Sequence, residues 1–129
     1  MPTRQLRIAI VDDEQCVRKA LRRLFFASDL YAETFASGQE FLDSLVRGRP
    51  DCVVLDLHMP GLSGLDVLRH PAVASTRLPT IVITAHDDPA THAQCLAAGA
   101  AAYLRKPLDD QTFLAEVTKA AAHAPWIAN

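Results

Sequence analysis

Short apolar runs alternate along the chain with segments whose apolar residues recur every three or four positions. Residues 6–11 (Leu-Arg-Ile-Ala-Ile-Val) form the first run and predict a strand. In the segment that follows, Val17, Ala20, Leu21 and Leu24 share one helical face, and Arg18, Lys19, Arg22 and Arg23 take the other. Residues 31–35 predict a second strand. Ser37 and Glu40 then have the spacing of a capping box ahead of an apolar stripe of Phe41, Leu42 and Leu45. The Gly48-Arg49-Pro50 breaker precedes a third strand over 52–57. Met59-Pro60-Gly61 predicts a turn, and Ser63 a cap for a helix holding Leu65, Val67 and Leu68. A fourth strand is expected over 80–84. Pro89 suits the first turn of a fourth helix, which Gly99 ends. Residues 101–105 predict the fifth strand, and Phe113, Leu114 and Val117 the face of a fifth helix.

Five strand–helix units predict an α/β fold with a mostly parallel sheet covered by helices on both faces. The unbroken apolar character of the third and fourth runs fits strands buried on both sides. Right-handed crossovers favour a flavodoxin-like (βα)5 three-layer sandwich with strand order 2-1-3-4-5. In such sheets the functional crevice lies beyond the carboxyl ends of the strands, where the strand order reverses.

Composition narrows the function without selecting it. The chain has 129 residues, half of them apolar and 22% charged, which fits one globular domain. Thirteen basic against fifteen acidic residues give a net charge of −2, so the domain lacks the basic footprint of nucleic-acid binding. No run approaches the roughly 20 apolar residues of a membrane span, and the N-terminus is not a signal peptide, so a cytoplasmic protein without membrane contact is expected. Cys16, Cys52 and Cys95 have no metal-ligand spacing and are expected to be buried or half-buried thiols.

The chemistry collects at the strand ends. The first strand runs into Asp12-Asp13-Glu14, the third ends with Asp56, the fourth with Thr84, and the fifth leads to Lys106-Pro107. The proposed order brings these ends together. Three carboxylates in one pocket require a cation, and an oxygen-only donor set selects a hard one such as Mg2+. Asp56 sits among apolar strand residues, whereas Asp12 and Asp13 are expected to open onto a loop. A carboxylate can attack phosphorus, and an ammonium opposite it can neutralise the incoming phosphoryl group.

Together, Asp12-Asp13, Asp56 with Met59-Pro60-Gly61, Thr84-Ala85 and Lys106-Pro107 resemble the signature of the receiver domain of two-component response regulators. The resemblance runs from Leu6 to about His123. The wording of Ile10-Val-Asp-Asp-Glu14, Phe41-Leu42 and Ile83-Thr-Ala-His86 is most similar to FixJ-type receivers, those of nitrogen-fixation regulators. It implies a receiver over residues 5–123 and a tail or linker start over 124–129. It implies that Asp56 takes a phosphoryl group from a sensor histidine kinase or phosphotransfer protein in a Mg2+-dependent reaction. Asp13, Asp56 and the His58 backbone carbonyl would ligate the ion directly, and Asp12 through water. Thr84 and Lys106 would engage the phosphoryl group, Lys106-Pro107 would be cis, and Tyr103 matches the aromatic switch position. His58 and His86 fall at the rim positions that tune phosphoryl lifetime, which is expected to vary between roughly pH 6 and 8.

The chain stops soon after the fifth helix. It fits either a single-domain regulator or the receiver of a longer protein with a C-terminal DNA-binding output domain. Phosphorylation would alter the face of the fourth helix, fifth strand and fifth helix, which could form a homodimer. Trp126 and Ile127 either pack back or begin a linker. The module would phosphorylate and dephosphorylate itself without being an enzyme proper. One alternative is a phosphohydrolase or phosphotransferase with Asp56 as nucleophile. Haloacid-dehalogenase-type enzymes, however, carry a second Asp where His58 stands. The other is a flavodoxin-like electron carrier, against which Asp12-Asp13-Glu14 places negative charge where a cofactor phosphate would sit.

Overall fold

The computed structural model describes residues 5–122. Five parallel strands form one sheet: β1 (Arg7–Val11), β2 (Tyr31–Phe35), β3 (Cys52–Asp56), β4 (Thr80–Thr84) and β5 (Ala102–Arg105). Their order is β2-β1-β3-β4-β5, as the alternating pattern implied. The register pairs Ile8 with Cys52, Val54 with Ile81 and Ile83 with Leu104. β3 and β4 are buried at every position and β1 at all but Arg7, while β2 and β5 at the edges are mostly half-buried.

Among the described residues, six helices cover the sheet: α1 (Gln15–Ala27), α2 (Gly38–Ser44), α3 (Gly64–Arg69), α4 (Pro71–Ala74), α5 (Pro89–Ala97) and α6 (Asp110–Ala122). Alternate strand residues feed two separate cores. Ile8, Ile10, Val54, Ile81 and Ile83 pack with Leu21 and Phe25 of α1 and Phe113 and Val117 of α6. Ala9, Val11, Val53, Leu55 and Val82 pack with Phe41, Val67, Leu68 and Cys95 on the opposite face. The Phe25 and Phe113 rings stack at 5.6 Å and tie α1 to α6. Burying each ring contributes roughly 1.5–3 kcal/mol.

Several local expectations change. Ala20 is exposed, and Phe25 one turn beyond Leu21 takes the buried position, because α1 presents a narrow stripe centred on Leu21 and Phe25. The Ser37 hydroxyl accepts from the Glu40 N–H at 3.1 Å, but Glu40 accepts from Ala36 rather than from Ser37, so the box is half formed. The complete box lies at Ser63 and Asp66, each side chain accepting from the other's backbone N–H. α4 was not foreseen; Pro71 starts it and the His70 imidazole caps it by accepting from the Ala72 N–H. Cys16 is exposed, whereas Cys52 and Cys95 are buried as expected, and burial pushes the Cys52 thiol up to about 12. Asp88 caps α5, and Gly99, at φ +105°, supplies the left-handed turn that ends it. No helix among the described residues is long and apolar enough to cross a membrane. His123 and the 124–129 segment, with Trp126 and Ile127, lie outside the described residues.

Candidate functional site

The ends of β1, β3, β4 and β5 meet at the crevice, beside the point where the chain leaves β1 for β2 on one side and β3 on the other. Asp56 is the last residue of β3. Its backbone is held in place from below by α3: a Cβ on Gly64 would lie 2.5 Å from the Asp56 carbonyl oxygen and 2.8 Å from the Leu57 Cα. Only glycine lets the helix start that close to the strand. Asp12 follows β1 and is fully buried, contrary to the expectation that it opens onto a loop; Asp13 is the exposed member. Asp12 is turned inward because its Oδ1 accepts from the Glu14 N–H at 2.9 Å and its carbonyl accepts from Arg18 at 2.8 Å. Arg18 is thus part of the site's support. Its place on the charged side of α1 gave no signal of that, and only the turn between β1 and α1 brings it back over Asp12.

Lys106 enters from the end of β5 through a cis Lys106–Pro107 bond, as expected. Its Nζ lies 3.1 Å from Asp12, 3.5 Å from Asp56 and 3.7 Å from Glu14. Asp12, Asp13 and Asp56 each offer an oxygen, all within 4.8 Å of one another. The carboxylates of Asp12, Glu14 and Asp56 face the Lys106 ammonium, and Asp13 stands beside Asp12 and Asp56. Burial first, and then the Asp12 charge, raise the Asp56 carboxyl to about 6, against the opposing pull of Lys106. Burial works against the charge on Lys106, but its hydrogen bond to Asp12 and the surrounding carboxylates outweigh that and hold its pKa above the ordinary value. The donor set is all oxygen, compact and negative, which fits Mg2+ and disfavours a thiophilic metal.

Thr84 is buried at the end of β4, and its hydroxyl closes on its own loop. It donates to the His86 carbonyl at 2.9 Å and accepts from the His86 N–H at 3.1 Å. Tyr103, on β5, is half-buried with its hydroxyl enclosed, and burial raises its pKa. Its ring stacks on His92 of α5, a neighbour that sequence reasoning missed. The exposed His58 and His86 side chains stand 5.8 Å apart, centroid to centroid. Every site residue singled out from the sequence therefore lies on the crevice or, for Tyr103, on the strand that leads to it.

A doubly covered 2-1-3-4-5 sheet with an acidic crevice and an opposed lysine defines a flavodoxin-like α/β domain with a carboxylate-rich crevice at the carboxyl ends of its strands. The sequence profile of the response regulator receiver domain matches residues 8–118, and the chain belongs to that family. It is 40% identical over 112 residues to the response regulator MprA of Mycolicibacterium vanbaalenii, covering 87% of this chain and 48% of that protein. The chain thus spans about half the length of the curated relatives it matches. Among solved structures, a response regulator receiver protein from Burkholderia phymatum superposes with a TM-score of 0.81 at 44% identity, covering 95% of this chain and all of that one. The FixJ-N crystal structure gives a TM-score of 0.85 at 29% identity, covering 97% and 100%. Response regulators work with histidine kinases, often carry DNA-binding output domains, and have receivers that bind Mg2+.

Proposed function

We propose that Asp56 is the phosphoacceptor of a receiver spanning residues 5–123, charged by a sensor histidine kinase or a phosphotransfer protein in the cytoplasm. The observation that carries this reading is the lysine: an ammonium 3.5 Å from the Asp56 carboxylate, inside a pocket of carboxylates able to hold a divalent ion. In the transfer, an Asp56 oxygen forms a bond to phosphorus while the bond from phosphorus to the donor imidazole nitrogen breaks. The electron pair stays on that nitrogen. Mg2+ bound by Asp13, Asp56 and the His58 carbonyl, with Asp12 behind a water, would neutralise phosphoryl oxygens on one side. Lys106 neutralises the other.

The transferred group offers the Thr84 hydroxyl a dianionic acceptor in place of the His86 backbone. Thr84 turns towards it, and Tyr103 rotates into the space released, remodelling the face of α5, β5 and α6. That face is assigned to the output contact, with a second copy of this chain or a C-terminal DNA-binding domain as its partner. A phosphoryl group drives this change only as far as it binds the two states unequally. His86 and His58 at the rim set how readily water removes the group, the chain supplying its own dephosphorylation. His86→Ala is expected to change that lifetime, read as the rate at which the phosphoryl group is lost.

Incubation with acetyl phosphate and Mg2+ tests the assignment. Intact mass should show one added phosphoryl group, lost in Asp56→Asn and in the absence of the ion. Labelling of Asp56→Asn at the wild-type rate would overturn it.

A further inference from the structure

Two of the chain's five histidines lie across the crevice mouth from each other, His58 on the loop after β3 and His86 on the loop after β4. Both are exposed, their ring centroids are 5.8 Å apart, and the planes are tilted by 59°, so the rings are not a parallel stack. Among the described residues, neither imidazole has a hydrogen bond or an ion pair, so its nitrogens are uncommitted. The His86 main chain is fixed, because its N–H and carbonyl are both bonded to the Thr84 hydroxyl. His58 follows directly on Leu57, whose N–H donates to the Ile83 carbonyl at 3.0 Å and whose carbonyl accepts from the Gly64 N–H at 2.9 Å. Two anchored backbones therefore hold two free imidazoles beside each other.

We propose that His58 and His86 form a two-imidazole site for a borderline divalent transition ion, of which Zn2+ is the probe, separate from the oxygen-lined Mg2+ pocket below it. A metal bonded to one nitrogen of each ring at about 2.0–2.1 Å lies roughly 3.2 Å from each centroid. Centroids between about 5 and 6 Å apart then subtend an angle near tetrahedral or somewhat wider at the metal. The observed spacing falls in that interval. The donor chemistry separates the two sites: imidazole nitrogen suits zinc, nickel and copper, whereas the carboxylate cluster suits magnesium. The carboxylates of Asp12, Asp13, Glu14 and Asp56 make the crevice attractive to a second cation, and among the described residues Lys106 is the one ammonium paired with them. The remaining coordination positions belong to water. An ion held there ties the loop after β3 to the loop after β4. The site stands whether or not Asp56 is the phosphoacceptor.

Calorimetric titration of the whole chain with Zn2+, in Mg2+ sufficient to fill the acidic pocket, measures it. One ion per chain is expected, with amide resonances of residues 57–59 and 84–87 shifting together. His58→Ala and His86→Ala should each weaken binding at least tenfold, and the double variant should add little, because either change breaks the same chelate. His70→Asn, which keeps a capping side chain on α4, should bind as wild type does. Retained affinity in His86→Ala overturns the proposal. So does loss of the site in Cys16→Ser with the histidines intact. Matching amide spectra of the free variants exclude misfolding as the cause.

Discussion

The rings of His92 and Tyr103 lie nearly parallel, 8° apart with centroids separated by 4.2 Å, so that a residue of α5 covers the face of the proposed switch residue. A stack of this kind contributes about 0.5–1.5 kcal/mol beyond the area it buries. Truncating His92 to Ala should therefore shift the Tyr103 rotamer equilibrium roughly 2- to 12-fold away from the present orientation. Side-chain couplings or a fluorinated tyrosine read those populations in the unmodified protein. Unchanged populations would mean that the strand alone fixes the ring.

The raised pKa of Asp56 makes a stability prediction with a definite sign. The carboxyl titrates near 6 in the folded chain against 3.8 when unperturbed, so the native state holds a proton that the unfolded state has lost between those values. The ionised form opposes folding in full above about pH 6, and the penalty fades as pH falls from 6 to 4. Without Mg2+, Asp56→Asn is expected to raise the unfolding free energy at pH 7.5 by about 1–2 kcal/mol. The gap should close towards pH 4. Urea denaturation over a pH series checks both parts.

Lys106 is the cation that opposes this shift. Replacing it by Met should move the Asp56 titration above its present value of about 6, since the Asp12 and Asp13 charges then act unopposed. Carboxyl carbon shifts followed through a pH titration report this directly. A pKa that stays in place would show that the 3.5 Å contact does not persist in solution.

Gly64→Ala should destabilise the fold by about 1–3 kcal/mol, as overpacking does where the obstruction is backbone that cannot turn aside. The new methyl would press on the Asp56 carbonyl and the Leu57 Cα. The loss should come with slower labelling by acetyl phosphate, because the end of β3 moves. Stability equal to wild type would mean that α3 can retreat from the strand.

Much of this was legible because the decisive residues stand at ends of strands that the pattern marks clearly. β4 is a clean apolar run closed by Thr84, and β3 is one closed by Asp56, so their convergence followed from strand order alone. What escaped depends on distances the pattern does not encode. Ala20 and Phe25 are both apolar and both near one helical stripe; which of them turns inward depends on how α1 rolls against α6, where Phe113 waits. Asp12 and Asp13 are identical in type, and only the hydrogen bonds from Glu14 and Arg18 decide that the first is buried. The Glu40 carboxylate chose Ala36 over Ser37, a difference of one residue that capping rules leave open. His92 lies eleven residues from Tyr103, and nothing short of the packed α5–β5 layer puts them face to face.

The contrast between β4 and β5 carries a consequence for how such a domain can diversify. Thr84 stands on a strand enclosed at all five positions, while Tyr103 stands on an outer strand half-covered at three of its four residues and open at Arg105. Amide exchange should accordingly be slow along β4 and faster along β5, because opening an outermost strand with one neighbour breaks fewer contacts. Mutational drift is felt in the same proportion. Changes at Arg105 or along the outward side of α5 alter the surface at little cost to the domain, whereas comparable changes on β4 would threaten the fold itself. The face proposed for output contacts can therefore vary while the acidic crevice beneath it stays fixed.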